Sequence, residues 1–342
     1  MTDLTNDRKL EHIRAIENDP LTDRSGHYFD QIKLMHRAFP EMALQDVDSS
    51  CQFLGKTLSF PMLISSMTGG DHQVVKQVNQ NLATAAQACG VAMAVGSQRV
   101  MFTAPSARES FQLRHLAPDI PLIGNIGAVQ LNCGMSHAQI QEAIDCLEAD
   151  GLYLHLNPLQ EAVQPEGDTD FRHLGHRVAD LVNALEVPVL LKEVGSGLSP
   201  ADIEIGLQAG VSIFDVAGSG GTSWSRIEHH RRQDSSDLGL TFQDWGISTP
   251  AALKMANPYL GRATLVSSGG LRDGIDMVKS VILGASICGM AAPLLKPAME
   301  SSEAVVAEIE KIKTEFRTAM FLLGARDVAA LFNNPAHILE AR

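Results

Sequence analysis

An α/β fold of eight strand-helix units, a (β/α)8 TIM barrel, is what this 342-residue sequence predicts, with additions at both ends and one long loop. Three observations carry the prediction. Short runs rich in Val, Ile and Leu alternate with amphipathic segments of helical length, which is the pattern of parallel strands joined by crossover helices. The repeat spans roughly 240 residues, the usual size of such a barrel. Nearly every run ends in glycine or polar residues, as expected where strand ends face a site.

Eight runs qualify: Phe60 to Ser66, Val91 to Ser97, Pro121 to Gly127, Gly151 to Asn157, Val187 to Gly195, Ser212 to Gly218, Ala263 to Ser268 and Ala285 to Met290. Between them, Ser106 with Glu109 and Ser136 with Gln139 have the spacing of capping boxes, and Ser199-Pro200 and Thr249-Pro250 put proline at the first helical position. A doubly wound open sheet is the alternative, but its G-x-G-x-x-G fingerprint after the first strand is missing. Outside the repeat lie a polar N-terminal extension (1–58), a loop after the sixth run (219–247) and a C-terminal helical tail (301–342). The barrel itself takes 59–300.

Composition narrows the function. Forty acidic against 27 basic side chains give a net charge of −13, which disfavours binding to nucleic acid and requires a local basic pocket for any anionic substrate. No apolar run approaches the ~20 residues that cross a bilayer, and Met1 to Arg14 is charged rather than leader-like, so a cytoplasmic protein is expected. The five cysteines are odd in number and lack zinc-type spacing, which suits buried thiols in a reducing compartment.

Strand alternation puts Ser97 and Arg99 on one face, and Tyr153, His155 and Asn157 on the inward face of the fourth strand, with Leu152, Leu154 and Leu156 outward. Ser267-Ser268-Gly269-Gly270-Leu271-Arg272-Asp273-Gly274 leads into a helix, and Gly289-Met290-Ala291-Ala292 follows the eighth strand. Paired glycines at a helix N-terminus let backbone N–H groups reach an anion, at the place where barrels commonly hold phosphate. Lys192 ends the fifth strand and needs a counter-charge. Glu193 lies on the opposite face, and which of the two points inward is open. Gln160-Glu161 sets an amide beside a carboxylate at the mouth, and a carboxylate with diphosphate oxygens and water is a usual way to hold Mg²⁺. Arg8, Lys9 and His12 form a short basic cluster that, with Arg99, suits closure over a diphosphate. No strand-end carboxylate is evident as an acid or base.

These motifs together resemble the type 2 isopentenyl diphosphate isomerases. The match runs through Arg8-Lys9 with His12, Met67-Thr68-Gly69-Gly70, Gly96-Ser97-Gln98-Arg99, Asn125-Ile126-Gly127, His155-Leu156-Asn157-Pro158-Leu159-Gln160-Glu161, Lys192-Glu193-Val194-Gly195, Gly220-Gly221-Thr222-Ser223-Trp224 and Ser268-Gly269-Gly270-Leu271-Arg272. The resemblance implies an enzyme that interconverts isopentenyl and dimethylallyl diphosphate with no net redox change, using reduced FMN, Mg²⁺ and NADPH as reductant.

Carried over by position, Ser66, Met67, Thr68, Ser97, Asn125, Lys192, Thr222, Gly270, Leu271, Arg272, Ala291 and Ala292 would bind FMN. Arg8, Lys9, His12, Ser97, Gln98, Arg99, His155, Asn157 and Gln160 would surround the substrate, and Glu161 would hold Mg²⁺. Gln160 and His155 would be the catalytic side chains, Gln160 either moving a proton or orienting substrate, with reduced flavin near N5 as acid and base. A homotetramer or homo-octamer is also implied. The hydroxy-acid oxidases share such a barrel and lysine, but they resemble one another in a histidine beside a late Gly-Gly, and Gly218-Ser219-Gly220-Gly221-Thr222 has none. A non-catalytic flavin or phosphate module would leave Arg99, Gln160 and Glu161 without a role.

Overall fold

The computed structural model describes residues 11–12, 15–16, 18–24, 26–67, 69–232 and 236–339. Arg8, Lys9 and Thr68 lie outside the described residues. Eight parallel strands close into a barrel: β3 (Met62–Ile64), β4 (Ala92–Ala94), β5 (Leu122–Gly127), β6 (Gly151–Leu156), β7 (Val189–Glu193), β8 (Ile213–Asp215), β9 (Thr264–Ser268) and β10 (Ile287–Met290). Each pairs with the next in sequence, and β10 closes onto β3. All eight anticipated runs are barrel strands, each trimmed to its hydrogen-bonded part.

Alternation sorts the core into two. Leu63, Ala92, Ala94, Ile123, Tyr153, Leu190, Val266 and Ile287 fill the barrel interior. Leu152 and Leu154 face the helical ring. An antiparallel hairpin, β1 (Cys51–Phe53) and β2 (Lys56–Leu58), adds Phe53 and Leu58 to the interior cluster. Its two-residue turn, Leu54-Gly55, has positive φ at both positions (48° and 74°), the geometry that matches strand twist in tight hairpins.

Helix starts follow local chemistry with two corrections. Ser136 and Gln139 form the anticipated capping box, and Ser199 caps Pro200–Gln208, with Asp202 as its reciprocal partner. Ser106 instead hydrogen-bonds Asp71 across the chain, and Glu109 pairs with Lys76. Pro250 occupies the second helical position, and the Thr249 hydroxyl turns away to the Ser268 and Gly269 carbonyls at 3.0 and 2.6 Å. Tertiary partners outcompeted the local pattern at both sites.

The C-terminal helix Ser302–Leu323 packs against Gln73–Cys89 and Gly274–Ile282. Its buried Val305, Ile309, Ile312, Phe316, Met320 and Leu323 recur at three- and four-residue spacing along one face. Gly274 permits this approach, because a Cβ there would lie 2.3 Å from the Ile312 carbonyl oxygen. Among the described residues, no helix is long and apolar enough to cross a membrane.

Candidate functional site

A cavity of 480 Å³ opens at the carboxyl ends of the strands, and all eight strands or the segments just after them contribute to its wall. The register of three neighbouring strands sets its floor. His155 on β6 lies opposite Lys192 on β7, which lies opposite Asp215 on β8. Lys192 Nζ donates to Asp215 Oδ2 at 2.8 Å and to Ser268 Oγ at 2.9 Å, while the Ser268 hydroxyl donates to Asp215 Oδ1 at 2.6 Å. All three residues are buried, so this closed ring compensates a charge that burial would otherwise make costly.

The open question at the end of β7 is thereby answered: Lys192 points inward and its counter-ion is Asp215. Asp215, at the end of β8, is a strand-end carboxylate occupied as the counter-ion of Lys192. Glu193 points the other way, accepting the backbone N–H groups of Gly195, Ser196 and Gly197. Burial pushes its carboxyl up to about 7 against those hydrogen bonds.

A second chain of hydrogen bonds orients His155. Asn125 Nδ2 donates to Ser66 Oγ at 2.7 Å, which leaves Asn125 Oδ1 to accept from His155 Nδ1 at 2.8 Å. That assigns the proton to Nδ1. Gly127 leaves room for the ring, since a Cβ there would sit 3.2 Å from His155 Nε2.

The segment after β6 builds the carboxylate centre. Pro158 starts the short helix Pro158–Val163, so Asn157, Glu161 and Gln164 fall on one face at helical spacing. Glu161 accepts from Asn157 Nδ2 (2.8 Å), Gln164 Nε2 (2.6 Å) and the Asp168 N–H (2.7 Å). The amide oxygens Asn157 Oδ1 and Gln164 Oε1 are buried with no hydrogen-bond partner among the described residues. Buried acceptors of this kind call for a donor or a cation. A carboxylate beside two such oxygens fits Mg²⁺ completed by diphosphate oxygens and water, rather than a closed protein cage. Among the described residues, no group of three or more His, Cys, Asp or Glu is placed to hold a metal by itself.

Gln160 joins this centre to the long loop: its Oε1 accepts from Asn157 Nδ2 at 3.2 Å, and its Nε2 donates to Glu228 Oε1 at 2.7 Å. Glu228 sits on Trp224–Arg231, a helix inside the long loop, and is fully buried. Burial alone would raise its carboxyl. Hydrogen bonds from His12 and Gln160 and the charges of His12 and Arg231 outweigh burial and bring it down to about 2. His12 also meets the Trp224 ring edge-on at 5.1 Å.

Opposite the carboxylate centre lies a glycine cradle. Gly269 and Gly270 have φ of 93° and 78°, and their backbones press on Gly218 and Gly220. Cβ atoms there would lie 2.1 Å from the Gly218 carbonyl oxygen and 2.6 Å from the Gly220 carbonyl carbon. On the same side, where β10 lies between β9 and β3, Ser65 Oγ is buried without a partner among the described residues, 2.4 Å from where a Cβ on Gly289 would be. This cradle, the orphaned hydroxyl and the Lys192 ammonium fit a phosphorylated flavin.

Of the anticipated flavin contacts, Ser66, Met67, Ser97, Asn125, Lys192, Thr222, Gly270, Leu271, Arg272, Ala291 and Ala292 line the cavity. The Arg272 guanidinium is held by Asp276 and Asp30 at 2.8 and 2.5 Å. His12, Arg99, His155, Asn157, Gln160 and Glu161 also line it. Gln98 does not. It is fully buried behind β4, donating to the Ala143 carbonyl and accepting from Asn125 N–H. Sequence reasoning missed Asp215, Glu228, Gln164, Asp168, Ser65 and Arg24. Asp215 was findable, because it is the one charged residue inside the sixth run, Ser212 to Gly218. Arg24 carried no local signal, and it is buried between the Gly195 carbonyl (2.8 Å) and Ser219 Oγ (2.5 Å), tying the extension to two mouth loops.

Comparison with known proteins agrees with this geometry. The FMN-dependent dehydrogenase family profile matches residues 6–112 and 148–339. An isopentenyl-diphosphate delta-isomerase of Paracoccus zeaxanthinifaciens is 59% identical over 338 residues, covering 97% of each chain. One of Hydrogenovibrio crunogenus is 56% identical over 334 residues, again covering 97% of each. Among solved structures, the flavin-binding domain of baker's yeast flavocytochrome b2 superposes with a TM-score of 0.65 at 16% identity, covering 91% of this chain and 76% of that one. That likeness speaks for the fold alone.

Proposed function

The chain belongs to the FMN-dependent dehydrogenase family and stands among its isopentenyl-diphosphate delta-isomerases, and from that premise we propose that it interconverts isopentenyl and dimethylallyl diphosphate, with reduced FMN, Mg²⁺ and a diphosphate substrate meeting in the cavity at the barrel mouth. The observation that carries the reading is the division of that cavity: a glycine cradle with Lys192 on one wall, and Glu161 with two unpartnered amide oxygens on the other.

In this reading the cradle Gly269-Gly270-Leu271, the Ala291-Ala292 turn and Ser65 hold the FMN phosphate, while Ser66, Asn125, Thr222 and Lys192 address the ring. Reduced FMN supplies acid and base capacity at N5 for moving the double bond. Lys192, neutralised by Asp215, gives the ring a donor without adding net charge to the site. Glu161 holds Mg²⁺ against the diphosphate, and Arg99 with His12 closes over it. Arg8 and Lys9 remain part of the proposed diphosphate clamp. His155, with its proton on Nδ1, and Asn157 line the same cavity and would contact the substrate there. Gln160 is held by Glu228 in one orientation, so its amide orients the substrate or relays a proton beside a carboxyl held well below its ordinary value.

Reduction by NADPH, a cytoplasmic location and a homotetramer or homo-octamer belong to the same proposal. The test is direct. FMN-loaded protein, reduced and supplied with Mg²⁺, should convert isopentenyl diphosphate to dimethylallyl diphosphate by proton NMR. Absence of product under those conditions, or equal turnover when oxidised and metal-free, defeats the reading.

A further inference from the structure

We propose that Asp168 is a positioning residue that aims Arg99 at the substrate diphosphate and couples it to the Glu161 centre, a role that rests on the functional reading above. Asp168 Oδ2 accepts from Arg99 Nη1 at 3.2 Å and from Gln130 Nε2 at 3.1 Å, while its backbone N–H donates to Glu161 Oε2 at 2.7 Å. These three partners follow three consecutive strands: Arg99 in the turn Gln98–Phe102 after β4, Gln130 in Ala128–Leu131 after β5, and Glu161 in Pro158–Val163 after β6. One residue therefore ties the loops that carry the cation and the metal carboxylate. Arg99, Gln130 and Glu161 line the cavity, and Asp168 stands behind them. It acts on a bound anion through Arg99.

The backbone is built to hold Asp168 there. Gly167 packs so closely on the chain at Glu161 that a Cβ would lie 1.8 Å from the Glu161 carbonyl oxygen, and the Gly167 N–H donates to the Gln164 carbonyl. On the other side, Asn132 Nδ2 donates to the Asp170 and Arg172 carbonyls at 2.8 and 2.9 Å. A long arginine loses much rotamer freedom when it is fixed on an anion. A carboxylate behind the guanidinium removes part of that loss in advance and leaves further N–H donors of its fork for phosphate oxygens. Because the same residue touches Glu161 through its backbone, the spacing between the guanidinium and the metal carboxylate is set by one rigid element.

The test uses FMN-loaded protein with Mg²⁺ and inorganic pyrophosphate as the probe. Asp168→Asn keeps the N–H on Glu161 and the residue's shape and alters only the side-chain contacts to Arg99 and Gln130. It should weaken pyrophosphate binding by about tenfold, the scale of one charge-assisted contact. It should raise KM for isopentenyl diphosphate by a similar factor at unchanged kcat, with the flavin spectrum and thermal midpoint unmoved. In an Arg99→Ala background the same change should have no further effect, and Asp168→Glu should recover part of the loss. Equal effects with and without Arg99, or tighter pyrophosphate binding by Asp168→Asn, would overturn the assignment. A wild-type protein that ignores pyrophosphate would instead sink the functional reading on which it rests.

Discussion

Lys192 and Asp215 face each other in register on adjacent parallel strands, with Nζ 2.8 Å from Oδ2 in a fully buried position. The pair is complete as it stands, because Ser268 bridges both partners. Removing one member leaves an uncompensated buried charge, a change that costs about 3–5 kcal/mol where a buried ion pair is broken. Asp215→Asn should therefore lower unfolding free energy by about 3 kcal/mol. Urea denaturation of the FMN-free protein checks this, and a change below about 1 kcal/mol would mean that water reaches the ammonium.

Gly270 is the second critical point. Its φ of 78° and the 2.6 Å approach of Gly220 leave no room for a side chain. Left-handed backbone at a non-glycine residue costs about 1–3 kcal/mol before any clash, so Gly270→Ala should weaken FMN binding at least about tenfold. Flavin fluorescence on titration reads this. Unchanged affinity would place the FMN phosphate elsewhere.

Glu161→Gln should separate metal from flavin. The amide keeps the shape and the Asn157 side of the network but removes the charge that favours a hard cation. The Mg²⁺ concentration for half-maximal activity should rise at least about tenfold while FMN stays bound. Loss of flavin in this variant would mark Glu161 as a structural residue.

Glu228 predicts a pH dependence. Its carboxyl is brought down from 4.5 to about 2 in the folded chain, so the folded state binds the proton less well than the unfolded one. The resulting stability is fully present above pH 4.5 and is lost as pH falls through about 2. In chemical denaturation at several pH values, wild type and Glu228→Gln should differ least near pH 2. The gap should open between about pH 2 and pH 4.5, the window set by the Glu228 carboxyl. A gap independent of pH would show that Glu228 gains nothing from its charge.

The barrel was legible in the sequence because its signals are local. Strand runs declare themselves by composition and length, and inward positions on β6 follow from a period of two. Capping boxes were less dependable, as Ser106 shows, since a serine with a cross-chain carboxylate nearby has a better partner than its own helix. The site was legible where residues sit at strand ends or in glycine turns, as with His155, Lys192 and Gly269-Gly270. It was illegible where a residue works through a distant partner.

What the sequence by itself determined is the alternation of strand and helix, the inward face of the fourth strand and the glycines that free a backbone for an anion, because each depends on residues a few positions apart. Only the tertiary structure decided that Lys192 rather than Glu193 turns inward to meet Asp215, that Gln98 faces the helical ring, and that Glu228 from a loop helix holds Gln160. Those outcomes depend on barrel closure and register, which bring together polar groups 23 and 68 residues apart and settle each buried group by the partner it finds there.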